Sequence, residues 1–229
     1  MRRTALIIVA AGRGVRMGAP LPKQYLPLEG RPILAHTVLA AAALLSPDDP
    51  LILVIPPDDD ERVRTLLEEF CPEVSLTLVH GGATRGESVL HGLGEVPEEV
   101  ELVAIHDGVR PILRREMWDR LLAAMESAEA AIPVTRPTDS LRMITPDGAS
   151  TILDRSLVRC VQTPQFFSRE AIVAAYEAEG DTTQTDDAGL YSRHTGRSPL
   201  LIEGDPDNLK ITTPRDLTLA SLILSPDKE

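Results

Sequence analysis

Between the first apolar run of the chain and its next helical stretch lies "AAGRGVRMGAPLPKQYLPL", with glycines at 12, 14 and 18, arginines at 13 and 16, and a lysine at 23. Bare backbone and positive charge in that order suit phosphate. Gly12, Gly14 and Gly18 let backbone N–H groups approach phosphate oxygens. Arg16 supplies a planar fork for two oxygens, and Lys23 a compact point charge. Three phosphate loops compete for this pattern. A dinucleotide fingerprint, Gly-x-Gly-x-x-Gly, fits Gly12 and Gly14 but meets Met17 in its third place, and Pro20 and Pro22 delay the helix it should open. A Walker loop needs Gly-Lys-Ser/Thr, which the chain lacks. A clasp for a nucleoside triphosphate uses every residue, with Arg16 and Lys23 on different phosphates. The plain alternative is a solvated surface loop. Against it stands the loop's place after the first strand, since ligands of open parallel sheets sit beyond the carboxyl ends of the strands.

Two further stretches could do chemistry. "HGGATRGES" (80–88) leaves a strand through two glycines and enters a helix near Thr84. Gly82 permits close approach and Ser88 offers a hydroxyl, as the polar edge of a base requires; an ordinary strand-to-helix connection reads the same way. "IHDGVRP" (105–111) puts Asp107 just past the end of an apolar strand. A carboxylate there suits Mg²⁺, which takes one or two carboxylates plus phosphate oxygens. A second acid would come from "GDPDNLKI", where Asp205 and Asp207 compete. His106 is expected to pack against the sheet.

The elements that must position these residues alternate along the chain. "ALIIVA", "LILVIP", "SLTLVH", "ELVAIHD" and "AAIPV" read as strands buried on both faces. "ILAHTVLAAAALL", "DDDERVRTLLEEF", "TRGESVLHGLGEV" and "RREMWDRLLAAMESA" read as helices, and "LLIEG" as a later strand. This order predicts one α/β domain over 1–229, Rossmann-like, with a mostly parallel central sheet and helices on both faces. Residues 139–155 break the rhythm: two strand-like runs around Pro146-Asp147-Gly148 predict an inserted β-hairpin arm, suited to meeting a partner subunit. The tail predicts a closing helix, with Thr213 at its N-cap, Pro214 next and Asp216 three residues after the cap.

Composition narrows the class. The 229 residues are 43% hydrophobic and 25% charged, with a net charge of −12, and no basic stripe invites nucleic acid or an anionic membrane. No apolar run approaches the length of a membrane span. Leu6–Ala11 is too short for a leader, so a cytoplasmic chain is expected. Cys71 and Cys160 match no metal or disulfide framework. Lysine occurs only at 23, 210 and 228, asparagine only at 208, and proline 19 times. Heat adaptation and a GC-rich genome account for that usage equally. Either way lysine is not the default cation here, so Lys23 and Lys210 invite a reason.

Taken together, "AAGRGVRMGAPLPKQYLPL", "GGATRGESVLHGL", "IHDGVRP", "PTDSL", "TPQFF", "TDDAGL" and "EGDPDNLKITTP" span nearly the whole chain. In this order they resemble the nucleotidyltransferases that activate sugars and polyols, and within them the 2-C-methyl-D-erythritol 4-phosphate cytidylyltransferase family. The resemblance implies transfer of a cytidylyl group from CTP to a polyol phosphate, with release of pyrophosphate. It places Ala10, Ala11, Gly82 and Ser88 around cytosine with Arg85 nearby, beside the loop glycines Gly12 and Gly14. It gives Arg16 and Lys23 the charge that builds on the α-phosphate, and gives Asp107 and Asp207 a Mg²⁺ or another hard divalent ion. Arg110, Ser140, Arg155, Thr163, Thr185 and Lys210 fall on its acceptor motifs, with Arg155 and Lys210 aligning the incoming phosphate. The arm would be exchanged in a homodimer, carrying Arg155 across the interface. One departure is Ser140, where relatives carry threonine; the hydroxyl is kept. A ribitol-5-phosphate cytidylyltransferase shares almost every motif, and a non-catalytic CTP-binding protein is a remoter alternative.

Overall fold

The computed structural model describes residues 2–12, 21–179 and 186–225. Its centre is β1 (Thr4–Val9), an apolar run flanked in parallel register by two others. Alternate side chains of β1 enter different cores: Leu6 and Ile8 join one cluster, Ala5 and Ile7 the other. A strand with both faces covered needs this unbroken apolarity. After β1 come the small hairpin β2 (Pro27–Leu28) and β3 (Arg31–Pro32), then α1 (Ile33–Ala42), β4 (Leu51–Ile55) and α2 (Asp60–Phe70). They are followed by β5 (Thr77–His80), α3 (Arg85–Gly94), β6 (Leu102–Asp107), α4 (Arg115–Ala124) and β7 (Ala130–Thr135).

β5, β4, β1 and β6 lie side by side, all parallel. β5 ends this side of the sheet and is half exposed, so the expectation of two buried faces fails there; nothing pairs its outer edge among the described residues. The helices divide between the faces. α1, α2 and α4 supply Val38, Leu66 and Trp118 to one core, and α3 supplies Val89 and Leu93 to the other.

Beyond β7 the alternation stops. β8 (Leu141–Ile144) and β9 (Ser150–Leu153) form an antiparallel hairpin that, among the described residues, pairs only with itself. Its turn places Gly148 at φ +84°, a left-handed conformation open to glycine at no steric cost, and Thr145 bonds both Asp147 and the Ala149 carbonyl. Met143, Ile144 and Ile152 lie exposed along this arm. The chain returns through β10 (Cys160–Val161) and β11 (Gln165–Ser168), then α5 (Arg169–Glu179), α6 (Asp187–Thr195), β12 (Leu200–Glu203) and α7 (Pro214–Leu224). β11 slots antiparallel between β6 and β7, and β12 runs parallel on the far side of β7. The sheet is therefore mostly parallel with one reversed line through its middle. Phe166 of β11 is fully buried edge-on against Trp118, ring centroids 4.8 Å apart. Such a contact is worth about 1 kcal/mol beyond the area it buries.

The closing helix starts as the sequence predicts. Thr213 accepts from the Asp216 N–H, and the Asp216 carboxylate accepts from the N–H groups of Thr212 and Thr213. A reciprocal cap of this kind contributes about 1 kcal/mol. No described helix is long and apolar enough to cross a membrane.

Candidate active site

Four parallel strands end on the same side of the sheet, and a cleft of about 560 Å³ opens there. Val9, Ala10, Ala11 and Gly12 line it from the end of β1, and Pro56 and Pro57 from the end of β4. Gly82, Ala83, Thr84, Arg85 and Ser88 follow from the end of β5, and Asp107 and Val109 from β6. Lys23 and Lys210, two of the chain's three lysines, complete the lining. Residues far apart in sequence thus meet where an α/β sheet binds ligands.

Each wall is shaped by hydrogen bonds behind it. Gln24, 1% exposed, donates to the carbonyls of Ala10 and Gly12, fixing the start of the glycine loop. Opposite, Gly81 leaves β5 with its N–H on the Ile55 carbonyl, and Gly82 donates to Ser88 Oγ. Ala83 and Thr84 donate to the Glu87 carboxylate, while Glu87 N–H returns to Thr84 Oγ1, a capping box that starts α3. Ser88 also donates to the Thr84 carbonyl. The N–H donors from 81 to 84 are all engaged within the protein, so the backbone of this stretch can present only its carbonyl acceptors.

Arg85, in the first turn of α3, is held by a fork. Both of its terminal nitrogens lie 2.7 Å from Asp187, one on each carboxylate oxygen. Asp187 is fully buried and takes a further 2.5 Å bond from the Tyr176 hydroxyl. Burial works against the charge on Arg85, but Asp187 outweighs it and holds the guanidinium protonated.

Asp107 is the electrostatic centre. It is 7% exposed, and its Oδ2 meets Lys210 Nζ at 3.0 Å and Arg110 Nε at 3.2 Å. Burial pushes its carboxyl up, but Lys210, Arg110 and Arg85 together hold it far below the usual carboxylate range. Behind it His106 is fully buried, and burial pushes its imidazole down to about 4. Nε2 of the neutral ring faces the Arg110 carbonyl at 3.0 Å and so carries the proton. Nδ1 then accepts from Thr163 Oγ1, which in turn accepts from the Asp107 N–H. His106 therefore packs against the sheet, as expected, with both nitrogens engaged.

Arg110 and Thr163, read as acceptor ligands, lie behind the Asp107 carboxylate: Arg110 is 8% exposed and also donates to the Asn208 carbonyl. Asp207 does not line the cleft. It is bound by Arg114 at 2.6 Å, and Asp205 by the same arginine at 3.6 Å. Among the described residues no group of three His, Cys, Asp or Glu is placed to hold a metal alone. Ser140 and Arg155 stand exposed at the base of the arm, where Arg155 donates to the Thr138 carbonyl, and neither lines the cleft. Gly14, Arg16 and Thr185 lie outside the described residues.

Sequence reasoning passed over Gln24, Glu87, Tyr176 and Asp187. Gln24 directly follows the lysine in "PKQY", and Asp187 stands in "TDDAGL"; the Thr84-x-x-Glu87 spacing is itself a capping signature.

The sequence model of the family described as 2-C-methyl-D-erythritol 4-phosphate cytidylyltransferase matches residues 4–226. A protein of that name from Porphyromonas gingivalis is 42% identical over 219 residues, covering 96% of each chain. One from Azobacteroides pseudotrichonymphae is 39% identical over 228 residues, 98% of this chain and 100% of its own. Among solved structures, the 4-diphosphocytidyl-2C-methyl-D-erythritol synthase of Anaerococcus prevotii superposes with a TM-score of 0.84 at 31% identity, covering 98% and 96% of the two chains. A 2-C-methyl-D-erythritol 4-phosphate cytidylyltransferase of Thermus thermophilus superposes with a TM-score of 0.77 at 30% identity, covering 97% and 98%.

Proposed function

The chain belongs to the 2-C-methyl-D-erythritol 4-phosphate cytidylyltransferase family, and from that premise we propose that the cleft at the ends of β1, β4, β5 and β6 is where it works. It is a nucleotidyltransferase. It transfers the cytidylyl group of CTP to 2-C-methyl-D-erythritol 4-phosphate, giving 4-diphosphocytidyl-2-C-methyl-D-erythritol and pyrophosphate on the route to isoprenoids. The observation that carries the site assignment is the convergence of Lys23, Lys210 and Asp107 with the glycine loop and the 81–88 wall in one cleft.

The acceptor is a phosphate monoester with a second pKa of about 6, so at neutral pH it is its own nucleophile. A phosphate oxygen attacks the α-phosphorus of CTP, a new P–O bond forms, the α–β bridging bond breaks, and pyrophosphate leaves. No general base is needed, in keeping with a His106 whose nitrogens are both engaged. What the reaction needs is position and charge. Lys23, with Arg16, stabilises the charge that builds on the α-phosphate and the departing pyrophosphate. Lys210, oriented by Asp107 at 3.0 Å, aligns the incoming phosphate. A preorganised charged contact of this kind is worth about 3 kcal/mol in the transition state.

Cytosine is read by the wall whose donors are engaged. With the N–H groups from 81 to 84 bonded internally, the backbone of that stretch offers carbonyl acceptors to the 4-amino group of cytosine and no N–H donor to the 4-oxo group of uracil, while the Arg85 guanidinium beside it is turned onto Asp187. The donor set also fits Mg²⁺: Asp107 is one ionised carboxylate beside a phosphate site, and Mg²⁺ completes its shell with phosphate oxygens and water. The ion would supply charge neutralisation to the triphosphate. Asp207, bound to Arg114 outside the cleft lining, is the weaker ligand on this geometry.

Ser140 and Arg155 act on the cleft of a second copy. Among the described residues their arm pairs with no strand of the central sheet, and it exposes Met143, Ile144 and Ile152, which a homodimer would cover. The two cysteines are unpaired and CTP is a cytoplasmic metabolite, so we place the enzyme there. The test is pyrophosphate release with CTP and Mg²⁺, comparing 2-C-methyl-D-erythritol 4-phosphate with D-ribitol 5-phosphate, and CTP with UTP. Release confined to the methylerythritol acceptor with CTP is expected. Release with ribitol phosphate alone would move the acceptor, and release with UTP as readily as CTP would refute the account of the base.

A further inference from the structure

The buried carboxylate of Asp187 has no part in the chemistry just described, yet it is among the most completely enclosed charges in the chain. It sits on α6, and it is 0% exposed. Three groups from two other elements converge on it: both terminal nitrogens of Arg85 from α3 at 2.7 Å, and the Tyr176 hydroxyl from α5 at 2.5 Å. Arg85 itself is one-third exposed and lines the cleft beside Gly82, Ala83 and Thr84.

A buried ion pair is a poor way to gain stability, because the cost of removing two charges from water cancels most of their attraction. What a two-point fork does supply is geometry. A carboxylate bonding both terminal nitrogens fixes the plane of the guanidinium as well as its distance. With those nitrogens committed to Asp187, Arg85 cannot swing out to grip a phosphate with the same edge. It stands instead as a fixed cationic panel of the wall. The rotation of Asp187 is set in turn by Tyr176, which bonds the same oxygen as Arg85 Nη1. The neighbouring Asp186 caps α6 through the Gly189 N–H at 2.9 Å and accepts from Gln165 at 3.1 Å, so the helix that carries Asp187 is itself tied down.

We propose that Asp187, oriented by Tyr176, is a positioning residue for nucleotide binding: through Arg85 it holds the α3 wall of the cleft in the geometry that CTP meets. This rests on the assignment of the cleft to CTP. Neither Asp187 nor Tyr176 touches substrate, and both act through the guanidinium plane. The consequence falls on CTP affinity, with little effect on the chemical step at Lys23 and Lys210.

The test combines calorimetric titration of CTP with steady-state kinetics and thermal melts on full-length Asp187→Asn, Tyr176→Phe and Arg85→Lys proteins. Asp187→Asn should weaken CTP binding at least tenfold and raise the KM for CTP alike, with kcat within about threefold of wild type. Tyr176→Phe, which removes one hydroxyl and leaves the ion pair, should weaken CTP by a few fold, and it decides the matter if Asp187→Asn does not fold. Arg85→Lys keeps the charge and loses the fork, and Asp187→Asn added to it should cost CTP affinity little more, because both changes break one unit. Variants that melt lower but bind CTP as wild type does would overturn the proposal and leave the triad a structural tie. So would losses in CTP affinity that add in the double variant. If wild type binds CTP but releases no pyrophosphate with the acceptor, the proposed reaction fails while this inference is still read from the titrations.

Discussion

Gly81 is where the two walls of the cleft touch, and replacing it tests whether their separation matters. A Cβ built on Gly81 would lie 2.4 Å from the Ala11 Cβ and 2.7 Å from Ser88 Oγ. Ordinary carbon contacts are about 3.5–4.0 Å, so Gly81→Ala demands a displacement of about 1 Å. Neither neighbour gives easily. Ala11 lies between the two carbonyls held by Gln24, and turning Ser88 away breaks its bonds to Gly82 and Thr84. Overpacking of this kind costs about 1–3 kcal/mol, which lowers Tm by about 3–10 °C in a chain of this size. The relief that remains is to spread the cleft. A shift of about 1 Å in a substrate-positioning wall costs on the order of 100-fold in turnover efficiency. The assay is kcat/KM for CTP by pyrophosphate release beside a thermal melt. Gly94, the exposed last residue of α3, is the matched control: a Cβ there meets nothing within 4 Å. Gly94→Ala should leave the kinetics unchanged and stabilise by about 0.4–1 kcal/mol. A Gly81→Ala enzyme with wild-type Tm and kcat/KM would show that the walls are slack and that the reasoning from close approach is wrong.

Lys23→Ala should lower kcat by at least about 100-fold with an unchanged melt, as loss of one preorganised charge implies; near-normal turnover would remove Lys23 from the mechanism. Mixing inactive Lys210→Met with inactive Arg155→Met protein should restore about a quarter of wild-type activity if arms cross between subunits, because half the dimers are mixed and each has one intact site. No recovery after subunit exchange would place Arg155 at its own cleft. Cys71 is 3% exposed and burial pushes its thiol up to about 11, whereas Cys160 is exposed. A thiol reagent at pH 8 should therefore find one fast cysteine and release the second only on unfolding; two fast thiols would contradict the packing of α2 against α1.

Much of the fold was legible because its strands are continuous apolar runs and its helices carry their own start signals. "ALIIVA", "ELVAIHD" and the Thr213-Pro214 helix start are local patterns, and they appear in the structure within a residue or two. β11 was read only as a motif. Four residues are too few for periodicity to speak, and its reversed insertion between β6 and β7 is a pairing between distant segments. α6 was hidden likewise inside "TDDAGL". At the site, Lys23 and Asp107 could be expected from strand ends and charge, whereas Lys210 was placed there only by the motif it shares with the family. The engaged state of Arg110 and Thr163 could not, because it depends on Asn208 and His106 facing them across loops far away in sequence. Gln24 shows the same limit: a glutamine beside a lysine looks like a solvated polar residue until both of its carbonyl partners are in place.

The reversed strand also sets an order in time. β5, β4, β1 and β6 are complete once residue 107 has been made, but β7 cannot join them directly, because β11 must lie between. During synthesis the fully buried edge of β6, Leu102 to Ile105, therefore stays unpaired for several seconds while the arm and residues 165–168 are still to come. An open apolar strand edge is a template for wrong partners. The nascent chain carries that open edge through the interval, and the arrival of "QFFS" from the ribosome is the event that closes it.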